Sequence, residues 1–113
     1  LVIKSGSMLP TLNINDVIVI KREKEYKLGD IITYKDENNF FITHRISRIE
    51  NDDFFTKGDN NNCEDINSIL KDNIKGKVIL IIRSEILNFI ISIISLIIII
   101  FILKKGKKNE KNN

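Results

Sequence analysis

Residues Phe40 to Ile49 read FFITHRISRI, the longest strand candidate in the chain, entered from the polar cluster Asp36-Glu37-Asn38-Asn39. On its far side, Asp52-Asp53 predicts a turn toward Phe54-Phe55-Thr56. Upstream, Ile31-Ile32-Thr33-Tyr34 begins after the turn signal Gly29-Asp30, and the apolar run Val17-Ile18-Val19-Ile20 is preceded by Asn15-Asp16 and followed by charges. Downstream, Lys77 to Ile82 reads as a last strand. Short strands at this spacing predict a mainly β domain, a small antiparallel sheet coiled into a barrel-like form. Between them, residues 58–73 (GDNNNCEDINSILKDN) are mostly polar and read as a long loop with one helical turn. A loop of that length in so small a domain more often serves function than idles.

The chain has 113 residues, room for one small domain whose core is marginal alone, so a membrane anchor or partner chain is expected to share the burden. The run ILNFIISIISLIIIIFIL, Ile86 to Leu103, supplies the anchor. Its uncharged residues would span roughly 27 Å as a helix, close to the hydrocarbon thickness of a bilayer. Lys104, Lys105, Lys107, Lys108 and Lys111 follow at once. Lysines flanking a span mark its cytoplasmic side, so the expected arrangement is an extracytoplasmic domain 1–85, a transmembrane helix 86–103 and a basic cytoplasmic tail 104–113. The net charge of +3 has the same origin: residues 1–85 hold 13 Lys/Arg against 14 Asp/Glu, and the last 28 hold five lysines against one glutamate. A near-neutral domain with its basic excess beside an apolar segment argues for a lipid bilayer as partner and against nucleic acid. The first residue is leucine, which predicts that an N-terminal piece precedes it or has been removed.

One cysteine, Cys63, excludes an internal disulfide and a cysteine-based zinc site, and the single histidine, His44, excludes a histidine-rich metal cluster. No metal or cofactor is expected. If the protein needs a base that titrates near neutrality, His44 is the one imidazole available. Cys63 sits in Asn62-Cys63-Glu64, where the adjacent acid would raise a thiol pKa, and reads as incidental.

The stretch Ser5-Gly6-Ser7-Met8-Leu9-Pro10-Thr11 places a serine after a glycine and close before a proline. Such a backbone is sharply shaped and rigid, a place where a hydroxyl can be held exposed. By composition alone it is an ordinary Ser/Gly turn. The run resembles signal peptidase I of the type found in the endoplasmic reticulum, in archaea and in some Gram-positive bacteria, which carries Ser-Gly-Ser-Met-x-Pro-Thr directly after an N-terminal membrane helix. Leu1-Val2-Ile3-Lys4 would be the end of that helix. The likeness continues in order through Asn15-Asp16-Val17-Ile18, Leu28-Gly29-Asp30-Ile31-Ile32, Ile42-Thr43-His44-Arg45-Ile46, Thr56-Lys57-Gly58-Asp59-Asn60-Asn61, then Asp65, and Gly76-Lys77-Val78. The sequence departs from the pattern at Leu9, where many relatives have an acid, at Asn15, which replaces a glycine, and at Arg83-Ser84, where a proline is common.

The resemblance implies a membrane-bound serine endopeptidase that removes signal peptides from exported preproteins, at the cell membrane or, in a eukaryote, the endoplasmic reticulum membrane. Additional membrane subunits are compatible with it. Ser7 would be the nucleophile. At the position where common bacterial relatives have the lysine of a Ser–Lys dyad, this chain has His44, a suitable base, with Arg45 beside it, a poor one. An acid would orient the imidazole, as in other triads. Asp65 and Asp59 compete for that role, with Asp65 favoured and Asp59 equally suited to bracing its loop. The Ser7 amide and the Ser5 hydroxyl would stabilise the oxyanion. Met8 would line the substrate pocket, or else fill the core. The rival expectation is a non-catalytic membrane receptor or assembly subunit with the same fold.

Overall fold

The computed structural model describes all residues, Leu1–Asn113, as two units, Leu1–Arg83 and Ser84–Asn113. In the first, six strands form one antiparallel sheet: β1 (Val17–Lys21), β2 (Ile31–Lys35), β3 (Phe41–Glu50), β4 (Asp53–Lys57), β5 (Ile69–Leu70) and β6 (Ile74–Ile82), in the spatial order β1-β6-β2-β3-β4-β5. Isoleucine, valine, threonine and phenylalanine fill these strands because branched and aromatic side chains pack well on a pleated surface.

The expected strands all form, with shifted ends. β3 and β4 are joined by Asn51-Asp52, not Asp52-Asp53, because both turn residues adopt positive φ (48° and 68°) and Asp53 already pairs with Glu50. Asn and Asp tolerate that conformation, which a two-residue hairpin of this kind requires. In the 58–73 stretch the expected helical turn forms as a 3₁₀ turn at Lys71–Asn73, and the structure adds the two-residue β5.

The pleat of β2 divides the core. Ile32 and Tyr34 point into one cluster, with Tyr26, Ile46, Phe54, Ile69 and Ile74. Ile31 points the other way, toward Ile3, Met8, Leu12 and Ile18. Neighbouring side chains on a strand face opposite sides, so a central strand covered on both faces buries consecutive residues, as Ile32, Thr33 and Tyr34 are. On β3, His44 has the same parity as Ile42 and Ile46 and therefore shares their face. Ile32 lies opposite His44, and Thr56 of β4 lies opposite Ile46. That register brings Tyr34, His44 and Thr56 to one side of the sheet.

The second unit is a helix, α1 (Ser84–Lys111). It contains the expected apolar run and continues through the lysines, which are good helix formers. Its most apolar 18-residue window has a mean hydropathy of 3.2 and no buried residues, so it is long and apolar enough to cross a membrane. The hydroxyls of Ser92 and Ser95 donate to the carbonyls of Asn88 and Ile91 at 2.9 Å, so these polar side chains are satisfied within the helix.

Candidate active site

Ser7 sits on a loop closed at its base by backbone hydrogen bonds. Ile3 N–H donates to Asp16 O (2.8 Å) and Asn15 N–H to Ile3 O (2.7 Å), while Val2 bridges Val17. Asn15 makes this closure at φ +73°, the left-handed region where glycine is easiest and asparagine is the usual alternative. Met8 (1% exposed) and Leu12 (0%) anchor the loop in the core from beneath. The turn itself is held by Leu9 N–H to Gly6 O and Leu12 N–H to Met8 O.

A second loop braces the first. Asn60 donates its backbone N–H to Ser7 O (2.9 Å) and its side-chain amide to Gly6 O (3.1 Å). Asp59 is held by a two-pronged ion pair: Arg45 Nε donates to one carboxylate oxygen (2.9 Å) and a terminal Arg45 nitrogen to the other (2.8 Å), where Thr11 also donates (2.5 Å). The Arg45 hydrogen bonds hold the Asp59 carboxyl below its ordinary range, against the opposing effect of burial. The Asp59 amide donates to the Met8 sulfur at 3.3 Å. At the other end of the loop, Arg83 donates to Thr11 O (2.9 Å) and to the fully buried Asp16 carboxylate (2.7 Å).

Across from Ser7, His44 Nε2 lies 3.1 Å from Ser7 Oγ, and His44 Nδ1 lies 2.5 Å from Asp65 Oδ2. An ionised carboxylate only accepts, so Nδ1 carries the proton and Nε2 presents its lone pair to the serine hydroxyl. Asp65 is pinned by β4: its backbone N–H donates to Thr56 O (2.8 Å), and Thr56 Oγ1 donates back to Asp65 Oδ2 (2.7 Å). The Tyr34 hydroxyl lies 3.3 Å from the same oxygen and 3.2 Å from Thr56 Oγ1. Burial, reinforced by the Asp65 charge, pushes the Tyr34 phenol up to about 12, so it stays a neutral donor. Glu64, next to Asp65, is tied to β3 by Arg48 (2.8 Å) and Ser47 (2.7 Å).

Two grooves meet at the imidazole. One, of about 430 Å³, is lined by Leu1, Val2, Ser5, Ser7, Phe41 and Thr43 among others. The other, of about 540 Å³, is lined by residues including Tyr34, Glu37, Glu64, Asp65 and Ile66, and both include Ile42 and His44. Apolar walls with a few convergent polar groups are the usual makings of a binding site.

The residues singled out by sequence therefore separate. Ser7, His44 and Asp65 form one hydrogen-bonded run, while Asp59 faces Arg45 and Thr11. Ser5 Oγ lies 3.2 Å from Ser7 Oγ, within hydrogen-bond reach of it. Met8 is buried in the core yet contributes to the floor of the first groove. Cys63 is exposed. Tyr34, Thr56, Thr11 and the role of Arg83 escaped the sequence reading. Thr56 and Thr11 lie inside quoted motifs, but only strand register and loop packing reveal what their hydroxyls touch.

A Peptidase S24-like family model matches residues 1–79, a span that contains Ser7, His44 and Asp65. Among curated proteins, the chain is similar to signal peptidase I W of Bacillus subtilis (strain 168), with 36% identity over 80 residues, covering 65% of this chain and 42% of that one. It is also similar to signal peptidase complex catalytic subunits SEC11 of Eremothecium gossypii (39% over 72 residues, 58% of this chain and 43% of the relative) and of Dictyostelium discoideum (36% over 72 residues, 58% and 40%). The chain thus spans less than half the length of these relatives.

Proposed function

The chain belongs to the Peptidase S24-like family and is a member of the signal peptidase I group, and on that premise we propose that it is a membrane-anchored serine endopeptidase that removes signal peptides from exported preproteins. The observation that carries the reading is the run from Ser7 Oγ through His44 to Asp65 Oδ2, at 3.1 and 2.5 Å. A serine hydroxyl is a weak nucleophile at neutral pH and needs a base at that distance.

Ser7 Oγ attacks the scissile carbonyl carbon while His44 Nε2 takes its proton. Asp65 keeps the imidazole in the required tautomer and offsets the imidazolium charge. The Ser7 amide and the Ser5 hydroxyl receive the oxyanion, and one such donor stabilises a transition state by roughly 2.7–4 kcal/mol. As the carbon–nitrogen bond breaks, His44 returns the proton to the leaving amine of the mature chain. Water then attacks the acyl-enzyme with His44 again as base, releasing the signal peptide and restoring the Ser7 hydroxyl.

An extended substrate would lie as an added strand in the groove between the N-terminal segment and the start of β3, with small side chains before the cut. Helix α1 would cross the bilayer with its lysines on the cytoplasmic side and the sheet domain, residues 1–83, outside. This holds the site where the signal peptide's apolar segment is embedded and raises its effective concentration. Further membrane subunits fit the same picture.

The test is to incubate the membrane-reconstituted protein with a preprotein and sequence any new N-terminus. Wild type and Cys63→Ser are expected to cut at the signal-peptide boundary, whereas Ser7→Ala and His44→Ala are not. An active His44→Ala variant would overturn the base assignment. A wild-type protein that binds preprotein without cutting it would overturn the peptidase in favour of a non-catalytic subunit.

A further inference from the structure

We propose that Tyr34 and Thr56 are positioning residues which, through Asp65, orient His44 and set its basicity. This rests on the peptidase reading above and extends it to two side chains outside the Ser7–His44–Asp65 run. Both sit on the buried face of the sheet beside Ile32, Ile42, Ile46 and Phe54, Thr56 fully buried and Tyr34 nearly so. Such an environment would accept valine and phenylalanine, which match their shapes without a polar atom to satisfy. The hydroxyls instead converge on Asp65 Oδ2, the oxygen that also receives His44 Nδ1–H. Thr56 donates to it, and the single Tyr34 hydroxyl proton is shared between Asp65 Oδ2 and Thr56 Oγ1.

Two consequences follow from elementary electrostatics. Donors to a carboxylate favour its charged form and limit its rotation, which keeps the proton on His44 Nδ1 and the ring aimed at Ser7. They also spread the carboxylate charge over several partners. With a donor removed, more of that charge acts on the imidazole, the imidazolium is favoured, and the titration of His44 moves up. The other ionisable groups around the ring are Lys4 on the first groove and Lys35, Asp36, Glu37 and Glu64 on the second. Arg45, next along β3, is engaged with Asp59. None of these changes when Tyr34 or Thr56 is replaced.

The chain has one histidine, so its imidazole resonances are unambiguous. The experiment titrates them by NMR in the full chain reconstituted in micelles, for wild type, Tyr34→Phe, Thr56→Val and Thr56→Ser. Thr56→Val and Tyr34→Phe are expected to raise the His44 midpoint by on the order of half a pH unit, and Thr56→Ser to leave it near wild type. The acid limb of kcat/KM for preprotein cleavage moves with the midpoint. Unchanged or lowered midpoints in Thr56→Val and Tyr34→Phe overturn the proposal, as does a shift in Thr56→Ser equal to that in Thr56→Val, which would make the effect one of packing. The titration needs no turnover, so a wild-type protein that cuts nothing would count against the peptidase reading alone.

Discussion

Gly58 lies so close to the carbonyl oxygen of Ser7 that a Cβ at position 58 would approach it to 2.6 Å. The obstacle is backbone, with the Asn61 side chain at 2.7 Å on another side, so neither loop can yield without displacing the other. The glycine is needed for close approach: it lets the 58–61 loop lie against the turn that carries Ser7 and complete the Asn60 hydrogen bonds to Ser7 O and Gly6 O.

Gly58→Ala is therefore expected to shift Ser7 relative to His44. Overpacking of this kind costs about 1–3 kcal/mol, and a displacement of about 1 Å at a reacting group costs about a hundredfold in rate. Thermal unfolding and cleavage rate measured on the same preparation should both fall. A fully active Gly58→Ala protein would mean the two loops can part without consequence.

The two aspartates of the polar loop are expected to respond differently. Asp65→Asn should reduce cleavage by about 1,000-fold or more, because an amide favours the wrong imidazole tautomer. Asp59→Asn should cost less in rate and more visibly in acid stability. Hydrogen bonds from Arg45 lower the Asp59 pKa, so its contribution is present above the unfolded value near 4 and is lost as pH falls through the lower folded value. Arg45 is more than a third exposed, and solvent screening holds that contribution to about 1 kcal/mol. Unfolding midpoints of wild type and Asp59→Asn should accordingly converge below about pH 4, and a constant gap across that range would contradict the assignment.

Arg83 fastens the end of β6 to Thr11 O and to the buried Asp16. Arg83→Met removes the donor and leaves that carboxylate with less compensation, at an expected cost of about 1–3 kcal/mol. Cleavage should fall with stability because Thr11 lies on the loop that carries Ser7. Chemical denaturation of the two proteins in the same detergent would measure it, and equal midpoints would rule the clasp out as a stabilising element.

The Tyr34 phenol provides an optical probe. Its pKa is pushed up to about 12 by burial, so phenolate absorbance should show a late phase that is absent in Tyr34→Phe. The unfolded phenol ionises near 10, so the contribution of Tyr34 to stability is complete below that pH and is lost as pH rises through about 12. Wild type should lose stability more steeply than Tyr34→Phe above pH 10.

Much of the architecture was legible along the chain. Apolar runs between Gly-Asp, Asn-Asp and acidic clusters mark β1 to β4 and β6, because short apolar runs and turn-forming residues are local properties. The run from Ile86 to Leu103 marks the helix by length and hydropathy alone. β5 was missed because two residues, Ile69-Leu70, carry no period, and it exists only because Asp53-Phe54 pairs with it.

By itself, the sequence made His44 the one imidazole available, and the ordered motifs that resemble signal peptidase I turned Ser7, otherwise a serine in an ordinary turn, into its expected partner. Between Asp59 and Asp65, six positions apart in one polar stretch, it favoured Asp65 only through the family resemblance and left Asp59 in competition. Tertiary structure separated them. Arg45, whose side chain lies on the opposite face of β3 from His44, captures Asp59, while Asp65 reaches the face where His44, Tyr34 and Thr56 converge. Which face a residue meets depends on strand register and on the Thr56–Asp65 backbone bond, and these arise from pairings between distant segments that no local pattern specifies.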